Sequence, residues 1–305
     1  MIHVIKPGFL TTVQDLGRTG FAHLGVSPAG AADSFSFRLA NLMVGNPSNT
    51  PALEITLVGP TLEFDAPARV AIFGAHANTS LPLNKPFEVA CAEKIAIGSL
   101  LDGARTYLAV EGGLAVPSVM NSCSTFLPAK LGGFEGRALR AGDYIATGKN
   151  VLGGGKKLQP GFLEELSRTN QGPLRVTPSV QHAWFGLEEV GLFQEQVFSV
   201  HQASNRSGVR LTGKSVFPFE QRELLTEGIA LGAVQIPPDG QPIILFVDQQ
   251  TTGGYPKIAN VIAADLSRVG QLRPHDPVKF HFVTIPEALQ ALERQEELLH
   301  QAFAL

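Results

Sequence analysis

The sequence predicts a mainly β protein with a few helices, built as two tandem domains from an internal duplication. Three observations carry this. The apolar runs are short, four to seven residues, and rich in Val, Ile and Phe, as in Ile243-Ile244-Leu245-Phe246-Val247. Glycine (32) and proline (21) break the chain at nearly every such run, which is turn punctuation rather than helix. Finally, four short elements occur twice in the same order. Arg18-Thr19-Gly20 with Gly25 matches Arg206-Ser207-Gly208 with Gly213. Glu54 with Gly59 matches Glu227 with Gly232. Leu108-Ala109-Val110-Glu111 before Gly112-Gly113 matches Leu245-Phe246-Val247-Asp248 before Gly253-Gly254. Leu139-Arg140 with Asp143 matches Leu272-Arg273 with Asp276. Each element is weak alone; four in register point to duplication.

In chain order, residues 2–5 read as a strand and Thr11 to Gly30 as a polar, Gly-dense loop. A helix follows, capped near Asp33 or Ser34, with Phe35, Leu39, Leu42 and Met43 on one face and Gly45-Asn46-Pro47 as its stop. Ala52 to Asp102 reads as a β-meander, and residues 66–101 are an insertion that the second half lacks. Thr106 to Gly113 is a buried strand. The first domain is therefore 1–150. Residues 151–173 are a linker that holds Gly153-Gly154-Gly155-Lys156-Lys157 and a short amphipathic piece at 161–168. The second domain is 174–285. Within it Pro256 to Val269 has helical spacing through Ile258, Ile262, Leu266 and Val269. Thr284-Ile285-Pro286-Glu287 forms a capping box for a terminal helix that takes up 286–305.

The stretch 226–257 is the richest in chemistry. Ala233 to Ile236 and Ile243 to Val247 form a hairpin across Pro237-Pro238-Asp239-Gly240, where Pro presets φ and Asp-Gly tolerates positive φ. The second strand ends on Asp248 and runs straight into Gln249-Gln250-Thr251-Thr252-Gly253-Gly254-Tyr255. A carboxylate at a strand end, followed by hydroxyls and glycines, is a common way to mount a site on a rigid sheet.

Composition excludes several classes. The net charge is −3 with no basic run, so no nucleic-acid partner is expected. No apolar stretch is long enough to cross a membrane, and Met1 to Pro7 opens into a strand pattern rather than a signal peptide. Two cysteines, Cys91 and Cys123, fit a reducing cytoplasm without a disulfide framework. Gly153 to Lys157 lacks the spacing of a phosphate loop. There is no G-x-S-x-G elbow, and no metal site is expected from eight scattered histidines. No biotin attachment sequence is present.

What remains is polar and repeated. Arg18, Arg206 and Arg210 stand beside glycines, where a guanidinium can grip a carboxylate or phosphate through paired hydrogen bonds. The structural alternative is that they cap strand ends or pair with Glu54 and Glu227. Asp15 and Asp248 are candidate bases or orienting groups; Asp33 reads more simply as a helix cap. Thr251, Thr252, Gly253 and Gly254 could form an anion nest, with Tyr255 and Lys257 aimed at the same place. Cys123 reads as a structural thiol.

Gln14 to Gly20, Tyr107 to Gly113, Ser204 to Leu211, and Gly232 to Gly240 through Thr251 to Pro256 resemble the KipA family, also called allophanate hydrolase subunit 2 or the C subunit of 5-oxoprolinase. The resemblance covers residues 2–283 and implies two cyclophilin-like β-barrel domains. Asn205 and Gln235, inside these motifs, join the substrate-binding candidates. Three positions depart from the family pattern: Ser207, where Met is usual, and His275 and Asn121, where Gly is usual or frequent.

The resemblance implies an ATP-dependent 5-oxoprolinase, a cyclic-amide hydrolase that releases L-glutamate, in which this chain is the C subunit. Its partners would be a KipI-like B subunit and a lactam-hydrolase-type A subunit, with ATP used by the complex and no cofactor bound by this chain alone. Asp248, Arg18, Arg206 and Asp15 would do the chemistry. Two alternatives stay open. One is a carboxyltransferase acting on urea or a related amide with biotin on a partner protein. The other is a regulatory module that binds a KipI-like kinase inhibitor.

Overall fold

The computed structural model describes residues 1–148, 154–219 and 224–303. Residues 149–153 and 304–305, which fall in the expected first domain, linker and terminal helix, lie outside these. Strand exceeds helix, 29% to 20%, so the chain is mainly β. It forms two compact units. One comprises Met1–Thr19, Ala29–Leu163 and Leu299–Leu305; the other Gly20–Pro28 and Glu164–Leu298.

The first unit contains β1 (Ile2–Lys6), β2 (Leu10–Gln14), α1 (Ser34–Met43), β3 (Ala52–Thr56), β4 (Thr61–Phe64), β5 (Ala68–Gly74), β6 (Pro86–Val89), β7 (Lys94–Ala96), β8 (Arg105–Val110) and β9 (Tyr144–Ile145). They sort into a five-stranded sheet, β2-β3-β8-β5-β6, and a four-stranded sheet, β7-β4-β1-β9. This corrects the meander read between Ala52 and Asp102, whose strands are dealt to two sheets. Two sheets bury both apolar faces, whereas an open meander leaves one face in water. Ile2, Val4, Leu62, Phe64 and Ile95 come from one sheet; Val13, Leu53, Ile55, Val70, Ile72, Leu108 and Val110 come from the other. All belong to one continuous buried core.

Every residue of β8 is buried, which is why its sequence shows no alternation. α1 packs against β3, β5 and β8, and Phe37 meets Tyr107 edge-on at 5.8 Å between ring centres. The helix starts where the sequence places it. The Asp33 carboxylate accepts from Ser36 N at 2.9 Å, an N-cap.

The second unit contains α2 (Phe162–Thr169, which begins at the end of the first unit), β10 (Leu174–Pro178), α3 (Leu187–Glu195), β11 (Phe198–Val200), β12 (Gly208–Thr212), β13 (Glu227–Gly228), β14 (Ala233–Gln235), β15 (Ile243–Leu245), β16 (Thr252–Gly253), β17 (Lys257–Val261), α4 (Leu266–Val269), β18 (Pro277–Val278), β19 (Phe280–Phe282) and α5 (Ile285–Gln301, whose last three residues count with the first unit). One eight-stranded sheet runs β18-β11-β12-β15-β14-β17-β10-β19. Its two outer strands are separated by Lys279 alone. One side pairs Phe198 with Val278, the other Leu174 with Phe280. The sheet therefore nearly closes on itself as a barrel. Phe193, Phe198, Phe280 and Phe282 pack together, with Phe193 and Phe280 stacked at 4.4 Å. Such ring pairs contribute about 0.5–1.5 kcal/mol beyond their buried area.

The predicted hairpin is present: Val234 faces Ile244 and Gln235 faces Ile243. Gly240, at φ +73, closes the turn and donates to Pro237 O at 2.9 Å. The helix read over 256–269 is corrected. Residues 257–261 are strand β17, and helical turns begin only at Ala263. Ile258, Ala259 and Val261 are buried together. A short strand covered on both faces loses its period of two and imitates helical spacing. The capping box is confirmed: Thr284 N donates to Glu287 Oε2 at 2.7 Å, and Glu287 N to Thr284 Oγ1 at 3.4 Å.

Candidate functional site

The candidate residues fall into three clusters. The first lies in the first unit and joins Asp15 to Arg18 through the segment Ser122–Thr125. Asp15 Oδ1 accepts from Gly17 N (2.8 Å), Ser122 Oγ (2.7 Å) and Ser124 Oγ (2.5 Å). Its Oδ2 accepts from Cys123 N at 2.6 Å. A buried carboxylate with four donors is a loop clamp. Arg18 is buried and donates to Ser124 O. Gly132 is required beside it. At φ +67, a Cβ there would come within 2.3 Å of Ser124 O and 2.5 Å of the guanidinium. Arg18 is thus held inside the fold beside the Ser124 carbonyl. Cys123 is half-buried, and burial, with Asp15 nearby, pushes its thiol up. This is the behaviour of a structural cysteine.

The second cluster sits at the end of β15. Asp248 is buried and accepts from Arg206 Nε and Nη2, each at 3.0 Å. The backbones join as well: Asp248 N donates to Arg206 O at 2.9 Å. This bidentate pair spends two guanidinium donors and both carboxylate oxygens on each other. Removing one partner of such a buried pair costs about 3–5 kcal/mol. Asn205 Oδ1 accepts from Ser207 N at 2.8 Å, an Asx turn that leads into β12. Arg210, on β12, has an exposed side chain.

The third cluster surrounds Gly253. Lys257 is buried, and its Nζ reaches Glu227, which also accepts from Gln181 Nε2 at 2.8 Å. The bond from Lys257 holds the Glu227 carboxyl below the usual carboxylate range, and Gln181 adds to this. Lys257 is thus committed to Glu227 rather than aimed at the 251–254 loop. Thr252 and Gly253, read as an anion nest, form strand β16 instead and pair with Gly228 and Glu227. Extended backbone points successive N–H groups to opposite sides, so they do not converge on an anion as a nest does. Thr251 O accepts from Ile229 N at 3.0 Å. Gly254 and Tyr255 are exposed.

The register between β14 and β17 shifts at Val234/Gln235, so that Gln235 opposes Lys257 and Ile258 is skipped. Such a bulge re-aims side chains. Gln235 is buried, and its Nε2 has no hydrogen-bond partner among the described residues; the same is true of Gln249 Oε1. An unsatisfied buried polar atom costs about 1–3 kcal/mol.

Sequence reasoning found Glu227 only as part of a repeat and missed its partners. Gln181 lies in no motif, and nothing in the local pattern marks it. The positive φ values of His275 (+74°) and Asn121 (+61°) explain why glycine suits those positions. Among the described residues no helix is long and apolar enough to cross a membrane.

The two-unit mainly β fold and the motifs around Arg206, Asp248 and Gly253 place the chain among carboxyltransferase-type proteins. It belongs to the family of the carboxyltransferase domain, subdomain A and B, which it matches over residues 24–282. It is 38% identical over 306 residues to the C subunit of 5-oxoprolinase from Escherichia coli K12, covering 99% of this chain and 97% of that one. With the C subunit of 5-oxoprolinase from Haemophilus influenzae it shares 36% over 308 residues, again 99% and 97%. The crystal structure of Kluyveromyces lactis urea carboxylase matches all of this chain with a TM-score of 0.91 at 30% identity. The chain spans 30% of that enzyme's length.

Proposed function

We propose that this chain is the C subunit of an ATP-dependent 5-oxoprolinase, hydrolysing 5-oxoproline to L-glutamate in the cytoplasm with A and B subunits. The observation that carries the reading is end-to-end similarity to two proteins of that name, 97% of each being covered. The B subunit would be KipI-like and the A subunit a lactam hydrolase. No phosphate loop occurs in this chain, so ATP is assigned to the partners.

The geometry refines the roles. Arg206 and Asp248 hold each other and act as positioning residues for the segment 249–254. Exposed Arg210 and Tyr255 are left to meet the substrate carboxylate and ring. The polar groups beside Gly253 face the amide. Co-expression with candidate A and B subunits tests the reading: glutamate release from 5-oxoproline and ATP is expected to require this chain. Unchanged release without it defeats the proposal.

A second reading is supported by the match to urea carboxylase. On that reading the chain transfers a carboxyl group to urea or a related amide from biotin on a partner protein. Avidin-sensitive carboxylation by the assembled complex, without glutamate release, would favour it.

A further inference from the structure

We propose that Gln235 and Gln250, which meet at Gly253, and Gln249, bonded to the neighbouring Ile229, form a subsite for the C=O and N–H edges of one planar amide. This rests on the lactam reading above and names the atoms that would read the lactam.

The geometry comes from four observations. A Cβ on Gly253 would lie 2.9 Å from Gln235 Nε2, 3.2 Å from Gln250 Nε2 and 2.5 Å from Ile229 Cδ1. Two amide donors therefore converge on the one side of β16 that carries no side chain. Gln249 is joined to the same Ile229 through its backbone, its Nε2 donating to Ile229 O at 3.2 Å. With that nitrogen anchored, the planar amide leaves Oε1 as its other edge, buried and without a partner among the described residues. Gln235 Nε2 is likewise buried and unpartnered, while Gln250 is exposed, so the cluster runs from the interior to the surface. The bulge that skips Ile258 and the Glu227–Lys257 pair fix its floor.

The ligand class follows from the signs of the unsatisfied atoms. One orphan is a donor and the other an acceptor. A carboxylate, which only accepts, satisfies Gln235 and leaves Gln249 stranded. A cation does the reverse. An amide presents an acceptor and a donor in one plane and satisfies both; lactams and ureas have this edge. Buried groups of this kind reject an analogue lacking its partner far more strongly than an apolar pocket can.

The test is calorimetric titration of the assembled complex with 5-oxoproline and with the matching lactone, which keeps the carbonyl and lacks the N–H. The wild type is expected to bind the lactam at least tenfold more tightly than the lactone. Gln235→Met weakens both ligands about tenfold. Gln249→Met weakens the lactam and leaves the lactone unchanged. Gly253→Ala, which presses a methyl on Gln235 Nε2, weakens both. Unaltered thermal midpoints keep these losses local, and Gln235→Glu, which keeps the shape, replaces any variant that fails to fold. Equal binding of lactam and lactone by the wild type overturns the subsite, as does full affinity in Gln235→Met. If the complex does not bind 5-oxoproline, the lactam reading falls and the same variants are titrated with urea. Weaker urea binding by Gln235→Met then upholds the amide subsite, and unchanged or absent urea binding overturns it.

Discussion

The turns at Leu139–Asp143 and Leu272–Asp276 carry the same hydrogen bonds in different units. Arg140 N donates to Asp143 Oδ2 at 2.7 Å; Arg273 N donates to Asp276 Oδ2 at 2.8 Å. Asp143 O accepts from Val4 N at 2.9 Å, and Asp276 O accepts from Val200 N at 3.0 Å. Gly142 N and His275 N donate, both at 2.8 Å, to the carbonyls of Val4 and Val200. The difference is the residue that takes the left-handed turn: Gly142 at φ +90, His275 at φ +74. The hydrogen-bond pattern fixes the backbone, and the backbone persists even where the side chain is unsuited to it.

The acids that follow β8 and β15 teach the converse. Glu111 N donates to Arg69 O at 2.8 Å, as Asp248 N donates to Arg206 O. Yet Glu111 meets Arg69 through a single 3.4 Å contact, and Arg69 is shared with Glu88. Asp248 holds Arg206 through two bonds, fully buried. The glycines after Glu111 are satisfied locally, Gly112 N donating to Asn46 Oδ1 at 2.9 Å. The segment after Asp248 leaves Gln249 Oε1 unpaired among the described residues. The same backbone hydrogen bond thus precedes a closed turn in one unit and an unsatisfied polar loop in the other. In the sheet, Arg69 stands to Glu111 as Arg206 stands to Asp248, whereas the repeat matches Arg206 with Arg18.

The largest effect that could break this contrast is in the ion pairs. Arg206→Met is expected to lower unfolding free energy by about 3–5 kcal/mol and Arg69→Met by about 1 kcal/mol or less, as read by urea denaturation. Equal losses would erase the distinction between the two acids. Next come the turns. A Cβ at Gly142 meets nothing within 4 Å, so Gly142→His isolates the backbone penalty and should cost about 1–2 kcal/mol. His275→Gly should gain about 0.5–1 kcal/mol, since relief of strain is partly offset by unfolded-state entropy. A loss at His275→Gly would mean that its side chain holds the turn.

The smallest effect is acid sensitivity. Glu227 is held low chiefly by Lys257, and Asp143 chiefly by Arg137. A carboxylate depressed in the fold adds stability above its ordinary range and loses it as pH falls toward its lowered value. Stability measured from pH 6 to pH 3 should therefore fall less steeply in Glu227→Gln and in Asp143→Asn than in the wild type.

Much of this was legible in residues with local rules: the Asp33 cap, the Thr284–Glu287 box and the Pro237–Gly240 turn; the strand read as ending on Asp248 stops at Leu245. Partnerships across long separations were not. Asp15 binds Ser124 across 109 positions and Lys257 binds Glu227 across 30, and local pattern carries no trace of either. The same blindness makes β17 look helical. A basic residue beside glycines has one composition whether it faces a substrate or the Ser124 carbonyl.

The near-closure of the second sheet has a kinetic consequence. Residues 174–176 lie beside 280–282 in parallel register, so the strand that begins the barrel waits for one made over a hundred residues later. Pairings at such separation pay their loop entropy before any contact rewards them, and they form late. On the ribosome β10 must therefore emerge and remain unpaired on that side until residues 280–282 have been made. A truncation before Phe280 would strand it for good.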